Sequence, residues 1–453
     1  MKHALTRILP ILIAATSLSA CSTKGSIDIS SSKSSVVNYP KVKQLTNADG
    51  VKRRSYLYGD DEYTAFKGKM KDFAYQMSEY FINSEYKNNA NFAFSPYSIE
   101  LCLGLAIKCT NNQTRKEILD AMGVDYETFN KYYPYFYSES SFTYTNEFDG
   151  KVTALSSPTN SIWLDNDLKT KSDCLNELQD DYYCDVFQVD FNKNNKAANE
   201  AIGKFASDKT NGLVNPSFNL DTQTLFVLMN TIYLRGIWNK EGNDLIDASE
   251  TYKFKNSSGL ISNKRLMAGY YHNGRALNQE DYSAFYTTTS SSFNITFIKP
   301  NEGKSIKDVF TKENIDYVTG NHYVIKDEEK LERYYTNCVF PSFEAEAKEL
   351  DLKKPFAEQY NVKSLFNPLT CDFSNLTSDD AYVDTFKQDA KLKVDKTGIE
   401  GAAVTYMVAP GATAPIPDPY TDVYETFVVD KEFGFIVRSN NNILFSGAVT
   451  NID

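Results

Sequence analysis

The chain has 453 residues, with 48 Lys and Arg against 59 Asp and Glu, a formal net charge of −11 and 42% hydrophobic residues. That is enough apolar material for a large globular domain, and the acidic balance excludes a phosphate-tracking nucleic-acid surface, which needs excess cations. Three histidines, and no G-x-S-x-G, H-E-x-x-H or glycine-rich phosphate loop, leave hydrolase and nucleotide chemistry little to build on.

The first element is a leader. "MKHALTRILPILIAATSLSAC" places Lys2 and Arg7 before an apolar run that ends in small residues. The run is too short for a comfortable membrane span and reads as a secretory signal over residues 1–20. Leu18-Ser19-Ala20-Cys21 resembles a bacterial lipobox, in which Cys21 is acylated and anchors the chain. Ser22 after it implies outer-membrane sorting, so a cell-envelope location is expected. Loss of Lys2 and Arg7 with the leader takes the net charge to about −13. Residues 21–62 are rich in Ser, Lys, Asn and Asp and read as a flexible tether. Residues 63–453 contain no further linker and read as one folded domain.

Phe66, Met70, Phe73, Met77 and Phe81 recur at helical spacing and predict an amphipathic helix. Phe92 and Phe94 suggest a short strand. Ser95-Pro96 then opens a strongly apolar helix, with Pro where its missing N–H costs little. "TALSSPTNSIWLDNDL" reads as a strand, and "KSDCLNELQDDYYCDVFQVDF" as a helix running into a strand. Thr224–Trp238 is apolar and rich in β-branched residues, as in a strand buried on both faces. The last third is mostly strands, which makes the class α+β with large sheets. His272 and His322 fall in polar, loop-like text. Cys102, Cys109, Cys174, Cys184, Cys338 and Cys371 form no C-x-x-C pair and no metal-ligand spacing, so no metal or cofactor is expected. An exported location permits disulfides, but the sequence does not pair them. The 31 tyrosines have no functional explanation at this level.

In order along the chain, "FAFSPYSI" (Phe92–Ile99), Lys209-Thr210-Asn211-Gly212, "LMNTIYLRGIW" with Asn230 and Trp238, Pro300–Gly303, "FPSFEAEAKELDL", "FVVDKEFGFIV" and "LFSGAVTN" resemble the serpin family. Each motif alone is weak, but the ordered set spans nearly the whole chain after the tether. The resemblance implies a serpin fold: helices mainly N-terminal, a large central mixed sheet, two further sheets and an exposed reactive loop. It implies a protease inhibitor rather than an enzyme, monomeric, whose partner is the target protease bound as a covalent acyl-enzyme. Ser95, Ser98, Asn230, Trp238 and Gln388 then fall beneath and at the head of the main sheet. Gln388 stands where many family members carry a histidine.

The resemblance also gives a role to "VDKTGIEGAAVTYMVAPGATAPIPDP" (Val394–Pro419). Gly398 matches the hinge glycine of the reactive loop. With a period of two, Ile399, Gly401, Ala403 and Thr405 share the face that must enter the sheet, while Glu400, Ala402 and Val404 face water. The entering set is uncharged and mostly small, as passage between packed strands requires. Ile399 departs from the Thr or Ser common there, and Lys396-Thr397 stand where an acidic residue usually leads. The hinge count puts the scissile bond at Ala412-Thr413, whereas a count back from Phe427 puts it at Asp418. We adopt the hinge count, because the inserted length must match the distance a protease is carried. Ala412 suits a small specificity pocket, hence an elastase- or subtilisin-like serine protease. Three alternatives remain: a cysteine-protease inhibitor, a non-inhibitory binding protein on the same fold, and a glycan-binding surface lipoprotein.

Overall fold

The computed structural model describes residues 39–87, 90–146, 150–238, 246–269, 271–290, 292–400 and 419–452. Cys21, Gly401 to Thr405, Ala412 and Thr413 lie outside these residues.

Helix α1 (Asp61–Glu85) starts where the Asp60 carboxylate accepts the Tyr63 N–H at 2.8 Å, and it buries Phe66, Met70, Phe73, Met77 and Phe81. Helix α2 (Pro96–Cys109) is capped by Ser95, whose Oγ accepts the Ser98 N–H at 3.2 Å, with Pro96 at the first position. Helices α3 (Asn112–Met122), α4 (Tyr126–Glu139), α5 (Ser172–Asp180) and α6 (Asn195–Lys209) complete the N-terminal helical part.

Four sheets occur among the described residues. The largest runs β1 (Lys43–Thr46), β5 (Cys184–Val189), β4 (Val152–Asp165), β6 (Phe226–Ile237), β17 (Gly398–Ile399), β16 (Lys387–Asp395) and β15 (Phe343–Asp351), with β3 (Phe142–Thr145) on β4. The second runs β10 (Leu277–Asn278), β11 (Tyr282–Thr288), β12 (Asn294–Pro300), β19 (Phe433–Ser439), β20 (Asn442–Val449) and β2 (Phe92–Phe94). The third joins β13 (Lys326–Asp327), β14 (Glu332–Val339), β18 (Thr421–Val428) and β9 (Tyr271–Asn273), and the fourth is the hairpin β7 (Ile246–Lys255) and β8 (Ile261–Ala268). This is the mixed architecture that the serpin resemblance implies.

The tyrosines have a structural role. Tyr97, Tyr132, Tyr133, Tyr137, Tyr182 and Tyr183 are fully buried among the helices. Their hydroxyls find partners: Tyr97 donates to the Phe136 carbonyl at 2.8 Å, Tyr133 donates to the Leu101 carbonyl at 3.2 Å, and Tyr183 accepts the Arg54 N–H at 3.2 Å. The rings supply core area while each polar tip is satisfied.

Three expectations need correction. Residues 39–62 are not a flexible tether. Lys43–Thr46 pairs antiparallel with β5, Tyr39 is buried against Trp163 and Phe205, and the Ala48 N–H donates to Asp185 at 2.9 Å. A polar composition hid one aromatic anchor and a backbone that pairs whatever its side chains. His272 is not in a loop. It lies in β9, buried, 2.9 Å from the Thr287 hydroxyl, and burial lowers its pKa to about 4. Finally, β6 is not buried on both faces along its length: Phe226, Leu228, Asn230 and Ile232 are only half-buried, and successive residues are buried only in its second half, at Tyr233–Leu234 and Gly236–Ile237.

Candidate functional site

The site forms where β6 and β16 face each other in the middle of the large sheet. Among the described residues these two long strands are joined only through the start of the segment after β16. Asp395 and Val394 pair with Gly398 and Ile399, which pair in turn with Ile237 and Gly236 of β6. The Glu400 N–H then donates to the Lys393 carbonyl at 3.0 Å. Below Glu400 no described residue pairs with either facing edge. The chain therefore leaves β16, turns at Lys396-Thr397 and begins a strand between the two. Thr397 holds the turn through its N–H and hydroxyl, both donating to Asp395 Oδ1, at 2.8 and 2.6 Å.

Gly398 is required by space as well as by conformation. A Cβ there would stand 2.9 Å from the Gly236 carbonyl carbon and 2.9 Å from Ile237 Cα, backbone atoms that cannot swing aside. Ile399 is fully buried. Glu400 was expected in water, but it is half-buried. Its carboxyl bonds the Tyr233 hydroxyl and faces Lys393, Arg235 and Lys391, and desolvation still pushes its pKa up. Tyr233 also receives Asn211 Nδ2 at 3.3 Å, from the turn that ends α6. Trp238 closes the head of the site: its indole N–H donates to the Asp395 carbonyl at 2.7 Å.

The floor is built by the N-terminal end of α2, which touches both strands. Toward β16, Gln388 and Ser95 exchange two hydrogen bonds. The Ser95 N–H donates to Gln388 Oε1 at 2.9 Å, and Gln388 Nε2 donates to the Ser95 carbonyl at 3.0 Å. Toward β6, Ser98 Oγ donates to the Asn230 carbonyl at 3.5 Å, and Cys102 Sγ lies 3.8 Å from the Leu228 carbonyl. Asn230 Nδ2 donates to Asn160 Oδ1 at 2.9 Å, and Asn160 Nδ2 donates to the Tyr133 hydroxyl at 2.8 Å and the Tyr182 carbonyl at 2.7 Å.

The structure thus brings Gly398, Ile399, Glu400 and Trp238 together at the head, and Ser95, Ser98, Asn230 and Gln388 at the floor. Sequence reasoning missed Tyr233, Arg235, Asn160 and Tyr133. Asn160 carries no signal of its own, because it stands among Ser156, Ser157, Thr159 and Ser161 in β4. Its pairing opposite Asn230 is a matter of register that one sequence does not show.

A family model described as Serpin (serine protease inhibitor) matches residues 68–452. Iripin-1 of Ixodes ricinus is 27% identical over 376 residues, covering 80% of this chain and 89% of that protein. Among solved structures, the thermophilic serpin tengpin in its native state superposes with a TM-score of 0.69 at 20% identity, covering 91% of this chain and all of that one. Thyroxine-binding globulin in complex with thyroxine superposes with a TM-score of 0.64 at 19% identity, covering 85% and 99%.

Proposed function

The chain belongs to the serpin family, and from that premise we propose that it is a membrane-anchored inhibitor that traps a protease through cleavage and insertion of its own loop. The observation that supports this reading is the double pairing of Gly398 and Ile399, a strand already begun between β6 and β16 at the root of the loop. In the proposed reaction the protease serine attacks the Ala412 carbonyl, the Ala412-Thr413 bond breaks, and the Thr413 amine leaves. The acyl-enzyme ester stays attached to Ala412. The strand then extends downward with Gly401, Ala403 and Thr405 facing the interior, carrying the protease away before water reaches the ester. New ladder bonds and apolar burial drive this step. The target class is an elastase- or subtilisin-like serine protease, because Ala412 is small and no Lys or Arg lies between Thr397 and Lys431. Cysteine proteases are the second class.

The test mixes the soluble domain with pancreatic elastase, subtilisin and papain and looks for complexes that survive denaturing electrophoresis. A released C-terminal fragment that begins at Thr413 supports the hinge count, and one that begins at Pro419 overturns it. The likeness to thyroxine-binding globulin motivates the second reading, a non-inhibitory binding protein. That reading wins if cleavage of the loop leaves the melting temperature unchanged. For the anchor, Cys21→Ala is expected to release the protein from membranes; firm retention overturns the lipid assignment.

A further inference from the structure

Six cysteines occur among the described residues and none is in a disulfide. Two of them meet across helices. Cys109 is the last residue of α2 and Cys174 is in the first turn of α5; both are buried. The segment after Phe373 zips these two helices together. Asn375 Nδ2 donates to the Lys108 carbonyl at 2.7 Å and lies 3.9 Å from Cys174 Sγ. The Leu376 N–H donates to the Cys109 carbonyl at 3.2 Å, and the Leu376 carbonyl accepts the Lys171 N–H at 2.8 Å. An ion pair from Lys108 to Glu177 adds a side-chain tie between the same helices. Within this frame each thiol lies close enough to shift the ionisation of the other.

We infer that Cys109 and Cys174 are a modification site, a thiol pair that closes into a disulfide under oxidising conditions. The chemistry is thiol–disulfide exchange with a small-molecule or protein disulfide as oxidant. The Cys174 thiolate attacks one sulfur of the oxidant and expels a thiolate, which takes up the proton lost by Cys174. The Cys109 thiolate then attacks Cys174 Sγ in the mixed disulfide and expels the second thiolate, which takes up the Cys109 proton. Two electrons pass from the cysteine pair to the oxidant, which leaves as two thiols. Cys174 is the better nucleophile: its neighbour Cys109, with Lys108 and Arg115, holds its pKa below the usual thiol value. Cys109 and Cys184 are pushed the other way by burial. Access comes through local opening of α5, a helix of nine residues.

The bond would also act on the large sheet. The start of α2 is held to β16 through Gln388, whereas α5 leads into β5 on the far side of Gly398 and Ile399. A strand entering between β6 and β16 must separate them by about 4.8 Å, and a covalent tie between α2 and α5 restrains that movement. This consequence rests on the inhibitory reading; the disulfide does not.

The test incubates the folded protein in glutathione buffers of increasing oxidising strength, blocks free thiols, and maps tryptic peptides without reduction. The expected product joins residues 109–115 to 172–193, in the wild type and in Cys184→Ala but not in Cys174→Ser. Thiols at 109 and 174 that remain alkylatable in the most oxidising buffer would overturn the proposal. So would a cross-link that disappears in Cys184→Ala. The Cys184→Ala map decides the matter even if Cys174→Ser fails to fold. The oxidised form should melt at least about 3 °C higher and require more inhibitor per protease trapped. Equal stoichiometry in both redox states would remove the restraint on the sheet. Absence of any trapped protease in either state would instead overturn the inhibitory reading and leave the disulfide standing.

Discussion

Gly398→Ala is the sharpest single perturbation of the site. The added methyl meets the backbone of Gly236 and Ile237, not a side chain that can turn away, so either the facing strands shift or β17 leaves the sheet. Expulsion sets the ceiling on the cost. It gives up the burial of Ile399, about 2–3 kcal/mol for a fully buried Ile, and ladder hydrogen bonds at about 1 kcal/mol net each. The total is about 3–5 kcal/mol. Spread over an unfolding entropy near 2 cal/mol/K per residue, in a domain of this size it lowers the melting temperature by roughly 4–6 °C. Gly50→Ala is the control, because a Cβ there meets nothing within 4 Å. The assay is a thermal melt of both variants, together with hydrogen exchange at the amides of Ile399 and Glu400. Fast exchange at these amides in Gly398→Ala, with Gly50→Ala like the wild type, is the expected result. Protected amides and an unchanged melt in Gly398→Ala would refute the claim that close backbone approach demands glycine here.

Gln388→Leu strands the buried N–H of Ser95, while the Ser95 carbonyl keeps the Ile99 N–H, and should cost about 1–3 kcal/mol, read as a lower denaturation midpoint; an unchanged midpoint would mean that water replaces the amide. His272 is buried with its pKa lowered to about 4, so the unfolded chain takes up its proton first. The stability it contributes is intact above about pH 6.5 and is lost as pH falls toward 4, by roughly 3 kcal/mol at the lower end. His272→Gln should flatten that part of the wild-type pH–stability curve, and parallel curves would count against the assignment. Glu100 is buried on α2, and its Oε1 has no hydrogen-bond partner among the described residues; desolvation raises its pKa well above the ordinary carboxyl value. The protonated form is favoured in the fold, so stability falls as pH rises through the raised pKa. Glu100→Gln should therefore stabilise more at pH 9 than at pH 5; an equal effect at both would show that the carboxyl titrates in the fold as it does in the unfolded chain. On the inhibitory reading, Ala403→Arg should convert the inhibitor into a substrate through a buried unpaired charge, whereas Glu400→Arg should do less; equal stoichiometries would contradict the assigned alternation.

Much of this was legible because local signals and tertiary demands agree. The spacing from Phe66 to Phe81 is the buried stripe of α1, and Ser95-Pro96 is the cap of α2. Gly398 stands out only beside the serpin pattern, but the structure supplies its physical cause. What stayed hidden is set by partners distant in sequence. Asn160 reads as one polar residue among several until register places it against Asn230, and Tyr39 reads as linker until Trp163 and Phe205 cover it. His272 looked like loop text because Tyr271–Asn273 is a three-residue strand, too short to show a period. The approach of Cys109 to Cys174 depends on Asn375 and Leu376, which bridge their two helices from more than 190 residues away along the chain.

The chain has only two tryptophans. Trp163 is fully enclosed on β4, the neighbour of β6 on the side opposite the opening, and stacks on Phe187 at 4.3 Å. Trp238 sits at the head of the site with its indole N–H on the Asp395 carbonyl. Widening between β6 and β16 would stretch that bond and admit water to one fluorophore of the two. In Trp163→Phe, the emission wavelength becomes a single-site optical gauge of the sheet, readable during a stopped-flow encounter with a protease and requiring no attached dye.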